Sequence, residues 1–212
     1  MIRMVVLCVV LLGTAAIADE KTSYALAAPA GWGGETISLP PGFAPDMKLR
    51  GVEHIRFAPG MMRPESGSFF CYAFAFELAA KPELKKTVVH DEFLKYYGGL
   101  CTAVLRGQGP DVDPSKFILK LKQSDPAATV SEATAGATRP AHYHGTLDWV
   151  EPFATKKPQK LHLEIQTWTQ QGHNFIFACV SPQMKDAEVW KQLHRIRDNY
   201  LQKQKADQAK PE

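Results

Sequence analysis

Phe69 to Leu78 reads FFCYAFAFEL, and this stretch decides the fold. In an extended chain successive side chains point to opposite faces. Phe70, Tyr72, Phe74, Phe76 and Leu78 therefore share one face, and Phe69, Cys71, Ala73 and Ala75 share the other. Both faces are apolar, which suits a strand covered on both sides. The stretch is thus predicted to be a central strand, with its small-residue face approached closely by the helix that follows.

That helix is predicted from the stripe Val89, Phe93, Tyr97, Leu100 and Val104, whose spacings of four, four, three and four put them on one side of a helix. Thr87 is placed as its N-cap, Asp91 and Glu92 put negative charge near the start, Arg106 falls in the last turn and Gly107 ends it. Gly98-Gly99 interrupts the stripe. An interior glycine costs about 1 kcal/mol relative to alanine, so the pair predicts either close packing against the sheet or a kink.

Upstream, Phe43-Ala44-Pro45-Asp46-Met47 returns with one change as Phe57-Ala58-Pro59-Gly60-Met61. Each proline disfavours helix at the residue before it and removes an amide donor, so both units are predicted as strand exits. Between them, Val52 to Phe57 alternates as a strand, with Val52, His54 and Arg56 on one side and Glu53, Ile55 and Phe57 on the other. Glu35 to Leu39 is a short edge strand that runs into Pro40-Pro41-Gly42. Residues 19–31 lack periodicity and read as a flexible lead-in.

Downstream, Gly107 to Ser115 is a loop and Phe117 to Lys122 a strand with Leu119 and Leu121 inward. Ser124 to Thr138, rich in Ala, Thr and Ser, is the one candidate linker. Three strands follow at about 141–150, 160–169 and 173–180, the last two joined through Gln171-Gly172. Ser181-Pro182 then opens a helical region with the stripe Val189, Leu193, Ile196 and Tyr200, and residues 202–212 form a charged tail predicted to be disordered. The order predicts one α+β domain over residues 32–201, an antiparallel or mixed sheet with two main helices packed on one face.

Arg3, the apolar run Val5 to Leu12 and Ala16-Ile17-Ala18 compose a secretory signal peptide over residues 1–18. The apolar run is shorter than the roughly 20 residues of a membrane-spanning helix, so no transmembrane anchor is expected, and the mature protein is placed in the periplasm or outside the cell. Removing residues 1–18 takes Arg3 and no acid from 25 Lys+Arg and 22 Asp+Glu, which leaves a net charge of +2. Near-neutrality without a long basic cluster argues against nucleic acid as a partner. Cys71, Cys101 and Cys179 survive processing, an odd number, so at least one thiol stays unpaired within the chain. Three buried thiols, or a Cys71 to Cys101 bridge with Cys179 free, both fit an exported chain.

Candidate chemistry is sparse. On the strand 141–150, His142, His144, Thr146 and Asp148 share a face, and on the next strand His162, Glu164 and Gln166 do. If the strands pair, three imidazoles and two carboxylates meet on one surface. Zinc sites use three such ligands plus a water whose pKa the metal lowers, so a metal-assisted hydrolase is one reading, with His142, His144 and His162 as ligands and Glu164 or Asp148 as ligand or base. No H-E-x-x-H or paired-cysteine signature accompanies them, and a polar sheet face in water is the ordinary explanation. Asp111-Val112-Asp113 offers oxygens to calcium but lacks the EF-hand pattern. Glu53, His54 and Arg56 form a candidate binding cleft, with salt bridging or capping as the alternative. Trp32, Trp149, Trp168 and Phe153 make either an aromatic binding surface or core. No serine elbow and no phosphate loop is present.

The run Trp32-x-Gly34-Glu35-x-Ile37-x-Leu39-Pro40, then Phe43-Ala44-Pro45-x-Met47, then Glu53-x-Ile55-Arg56-Phe57-Ala58-Pro59-Gly60-Met61 resembles a group of uncharacterised exported bacterial proteins with no known activity. The resemblance implies export and a shared fold, and it carries over no catalytic residue. The function expected is a non-catalytic binding or interaction module of the cell envelope, without a cofactor, whose partner is an envelope protein or a small ligand. The alternatives are the zinc hydrolase and a carrier that holds an apolar ligand between the aromatic strand and the first helix.

Overall fold

The computed structural model describes residues 26–79, 83–107, 109–124 and 140–208. The segment 1–18 read as a signal peptide and nearly all of the candidate linker lie outside the described residues. Seven strands form one antiparallel sheet: β1 (Gly33–Leu39), β2 (Gly51–Phe57), β3 (Tyr72–Leu78), β4 (Ile118–Ser124), β5 (Ala141–Val150), β6 (Pro158–Gln170) and β7 (His173–Ser181). Two helices accompany them, α1 (Lys86–Leu105) and α2 (Glu188–Gln208). The strand order is β1-β2-β3-β7-β6-β5-β4, so β3 and β7 are the central pair and β1 and β4 the edges.

The aromatic stretch is the centre of the sheet, but its strand begins at Tyr72 and not at Phe69. Before it, Phe70 turns with φ 51°, uncommon for a bulky residue. Its amide donates to Met61 O at 2.9 Å, which closes the turn chain that carries the second Ala-Pro unit. Its ring still enters the core, 5.5 Å from Tyr72 and 5.2 Å from Trp149.

The helices lie on opposite faces of the sheet, not on one. Val89, Phe93, Tyr96, Tyr97, Cys101 and Leu105 of α1 share a cluster with Tyr72, Phe74, Phe76, Leu147, Leu163 and Ile176. Val189, Trp190, Leu193, Ile196 and Tyr200 of α2 share another with Cys71, Ala73, Ala75, Phe177 and Cys179. The small-residue face therefore receives α2, whose Trp190 needs the room that alanines leave. On the other face α1 supplies rings that interleave with those of β3. Phe74 stacks on Tyr96 at 6.0 Å and meets Phe93 at 5.7 Å, while Tyr72 and Tyr97 share a hydroxyl hydrogen bond of 2.6 Å.

The stripe of α2 is as predicted, but that helix continues to Gln208, past the end placed at position 201. The stripe of α1 is rotated, because Tyr96, Cys101 and Leu105 are buried where Leu100 and Val104 are only partly so. Its N-cap is Lys85, not Thr87, and Gly107 follows it in the left-handed region at φ 71°. Gly99 is a site of close approach, though not to the sheet. A Cβ there would lie 2.3 Å from Phe43 O and 2.9 Å from the Ala44 Cα. The first Phe-Ala-Pro unit is thus a turn seated on the helix, and α1 is continuous through both glycines.

Leu26 is 1% exposed and joins the α2-side cluster, so the fold reaches back into the segment read as a lead-in. Gln171 and Gly172 make the β6–β7 hairpin with φ of 47° and 80°, the two positive values a type I′ turn requires. Among the described residues no helix is long and apolar enough to cross a membrane.

Candidate functional site

Strands β5 and β6 pair with His142 opposite Gln166, His144 opposite Glu164, Thr146 opposite His162 and Asp148 opposite Lys160. Strand β4 adds Lys122 opposite His144 and Lys120 opposite Thr146. All predicted members of the histidine face therefore occupy one surface, on the α2 side of the sheet. They stand in successive rows, with strands about 4.8 Å apart and same-face residues of one strand about 6.8 Å apart. His142 is two rows from His162, roughly 14 Å, whereas imidazole ligands sit about 2 Å from a zinc ion. The three imidazoles therefore share a face without converging. Among the described residues no three His, Cys, Asp or Glu side chains are grouped so as to hold a metal ion.

What the face gathers instead is positive charge around Glu164. Lys185 Nζ reaches Glu164 Oε1 at 2.8 Å, His194 Nε2 reaches Oε2 at 2.7 Å, Arg197 stands 3.5 Å away and His144 Nδ1 4.0 Å away. Burial alone would raise the Glu164 pKa. The hydrogen bonds from His194 and Lys185 and the lysine charge outweigh it and hold the carboxyl down at about 2. Lys185 also lies 3.4 Å above the Trp190 ring. Asp148 is engaged by Lys160. Partial burial, reinforced by Arg197, keeps His142 below the ordinary histidine value; burial with Lys185 and Lys160 does the same for His162. Both shifts favour the neutral imidazole.

His194, Arg197 and Lys185 were not foreseen as partners. Trp190, His194 and Arg197 follow the spacing of one helix side, a signal that marks a shared side but not which strand it faces.

Glu53, His54 and Arg56 do not form a cleft, because period two divides them between the two faces. Glu53 is fully buried beneath α1, where Tyr96 donates to its Oε1 at 3.0 Å and Oε2 has no hydrogen-bond partner among the described residues. Burial pushes its pKa up to about 8. On the opposite face His54 meets Thr36 at 3.2 Å, and Arg56 lies across β1, where a Cβ on Gly34 would sit 2.7 Å from its guanidinium. Two further acids serve the backbone. Glu92 accepts from the amides of Lys48 at 2.6 Å and Leu49 at 3.0 Å, and Glu151 accepts from the amides of Phe153, Ala154 and Thr155.

A cleft of about 690 Å³ opens beside the last row of the histidine face, lined in part by Asp111, Asp113, Phe117, Asp148 and Trp149. Asp113 accepts there from the amide and hydroxyl of Ser115, which makes it the cap of a short 3-10 turn. The tryptophans are core: Trp149 lies in the α1-side cluster, and Trp32 and Trp168 in the α2-side one. Cys71, Cys101 and Cys179 are free, buried thiols, so the Cys71 to Cys101 bridge is not formed. Compared with known proteins, the chain matches no family model, no curated protein and no solved structure.

Proposed function

We propose that the protein is a non-catalytic binding module of the cell envelope, exported by its N-terminal segment, and that it binds through the β4–β6 face bearing Lys120, Lys122, His142, His144 and His162. The engagement of Glu164 carries this reading. The carboxylate best placed to ligate a metal or take a proton is paired with Lys185 and Arg197 and hydrogen-bonded to His194, and the lysine and arginine charges oppose the arrival of another cation. With Asp148 also engaged, the face keeps an excess of positive groups, a property suited to recognition. The opening motif and the composition of residues 1–18 support export. Against a carrier speaks the packing of Phe70, Tyr72, Phe74 and Phe76, each no more than 2% exposed and in contact with other rings, as core side chains are.

A photo-crosslinking residue placed at position 122 or 144, in the full chain expressed in its native cells, tests the surface. The expected result is discrete adducts from these two positions and none from exposed position 65 in the turn before β3. Equal labelling from all three positions, or none from any, would show that this face is not the binding surface.

A further inference from the structure

Resting on that surface, we propose that its occupant is an acidic polypeptide segment with apolar residues flanking the acidic ones. Lys120 and Lys122 project side by side from edge strand β4, are exposed, and make no ion pair among the described residues. Lys160 and Lys185 border the same rows and remain about half exposed while they engage Asp148 and Glu164. Because both carboxylates of the face are already occupied, an incoming anion meets Lys120 and Lys122 without displacing an ion pair to any of the described residues. Their spacing of about 6.8 Å equals the repeat of alternate side chains along an extended peptide.

The rims of the face distinguish a polypeptide from a linear polyanion. Ile118 is 52% exposed and shares the face with Lys120 by period two; Met184, 67% exposed, adjoins Lys185 in the turn before α2. They are two of the three large exposed hydrophobic side chains among the described residues; Ile118 lies on the edge strand opposite Asp148, and Met184 precedes Lys185, whose Nζ reaches Glu164 of β6. A polyphosphate has no apolar surface to set against them, and a heavily sulfated glycan only its ring C–H groups. A protein segment has both kinds of group, and interfaces of that kind pair an apolar contact with polar complementarity. The geometry therefore favours carboxylates over Lys120 and Lys122 with apolar side chains reaching Ile118 and Met184.

The test uses the whole chain and a labelled synthetic peptide of mixed Glu and Leu, with polyglutamate and heparin as competitors, read by fluorescence anisotropy. The peptide is expected to bind saturably and to weaken by about tenfold or more in the double variant Lys120→Glu, Lys122→Glu. Weakening is also expected in Ile118→Ser, Met184→Ser, and as salt rises from about 0.05 M to about 0.5 M. All four positions are exposed, so an unchanged unfolding midpoint certifies each variant. Absence of saturable binding, indifference to either double variant, or displacement by heparin or polyglutamate as effective as by unlabelled peptide overturns the acidic-apolar segment. If crosslinks from positions 122 and 144 persist alongside such a result, only the partner chemistry falls. If they too are absent, the surface itself falls.

Discussion

Glu53 is an acid that the fold keeps protonated near neutral pH. It is fully buried with one tyrosine hydroxyl as donor, and burial lifts its pKa from 4.5 to about 8. The native state then binds the proton more tightly than the unfolded chain, so Glu53 favours folding most below about 4.5 and loses that advantage as pH rises to about 8. Relative to Glu53→Gln, the wild type is expected to lose about 1.4 kcal/mol of stability per pH unit across that window, measured by denaturant unfolding. Parallel pH profiles for the two proteins would show that the carboxyl is ionised in the fold. The sequence makes the alternation of β2 plain, and with it the separation of Glu53 from His54 and Arg56, but burial of an acid depends on what lies above it. Tyr96, 43 positions away, supplies that, and no local pattern announces the pairing. Glu92 likewise looks like an ordinary acid near a helix start, whereas its use is to hold the amides of Lys48 and Leu49.

Among the elements, strands and stripes are legible because their periods are written in single segments. The turn residues Gln171 and Gly172 and the strands β5, β6 and β7 fall within two residues of their predicted places, whereas α2 begins and ends later than predicted. Which helix covers which face is not legible, since FFCYAFAFEL is apolar on both sides and only the partner's side-chain volume decides. Gly98 and Gly99 show the same limit: helix propensity treats them alike, but only Gly99 has a backbone pressed on it. Gly99→Ala is expected to destabilise by on the order of 2 kcal/mol, against the roughly 1 kcal/mol gain that propensity alone gives. Gly98→Ala, whose Cβ would meet the Pro114 side chain at 3.2 Å, is expected to cost less. Thermal melts of both variants decide this, and a stabilised Gly99→Ala would refute the seating of the Phe43-Ala44 turn on α1. Phe74→Ala is expected to cost about 3–5 kcal/mol in a denaturant titration, because the ring is 1% exposed among Phe76, Phe93 and Tyr96.

For the whole molecule, the three buried thiols give a compact test of folding and of processing. Burial raises Cys71 and Cys101 to about 11 and Cys179 to about 12, so none is a thiolate at pH 8. The native protein is expected to be inert to a thiol reagent and, when unfolded, to release three equivalents if residues 1–18 are removed or four if Cys8 is retained. Rapid labelling of the native form would mean that the core opens locally. Strand order at this scale was beyond the sequence, because one pairing, β3 with β7, joins strands with about 100 residues between them. Every other neighbouring pair of strands is consecutive in the chain. That single seam has a kinetic meaning. The meanders β1–β3 and β4–β7 zip through local contacts, whereas the seam closes a long loop and brings α2 onto β3. Substitutions at the seam, such as Ala75 opposite Phe177, should therefore act chiefly on the unfolding rate, and a chain cut between α1 and β4 should reassemble from its two pieces along that line.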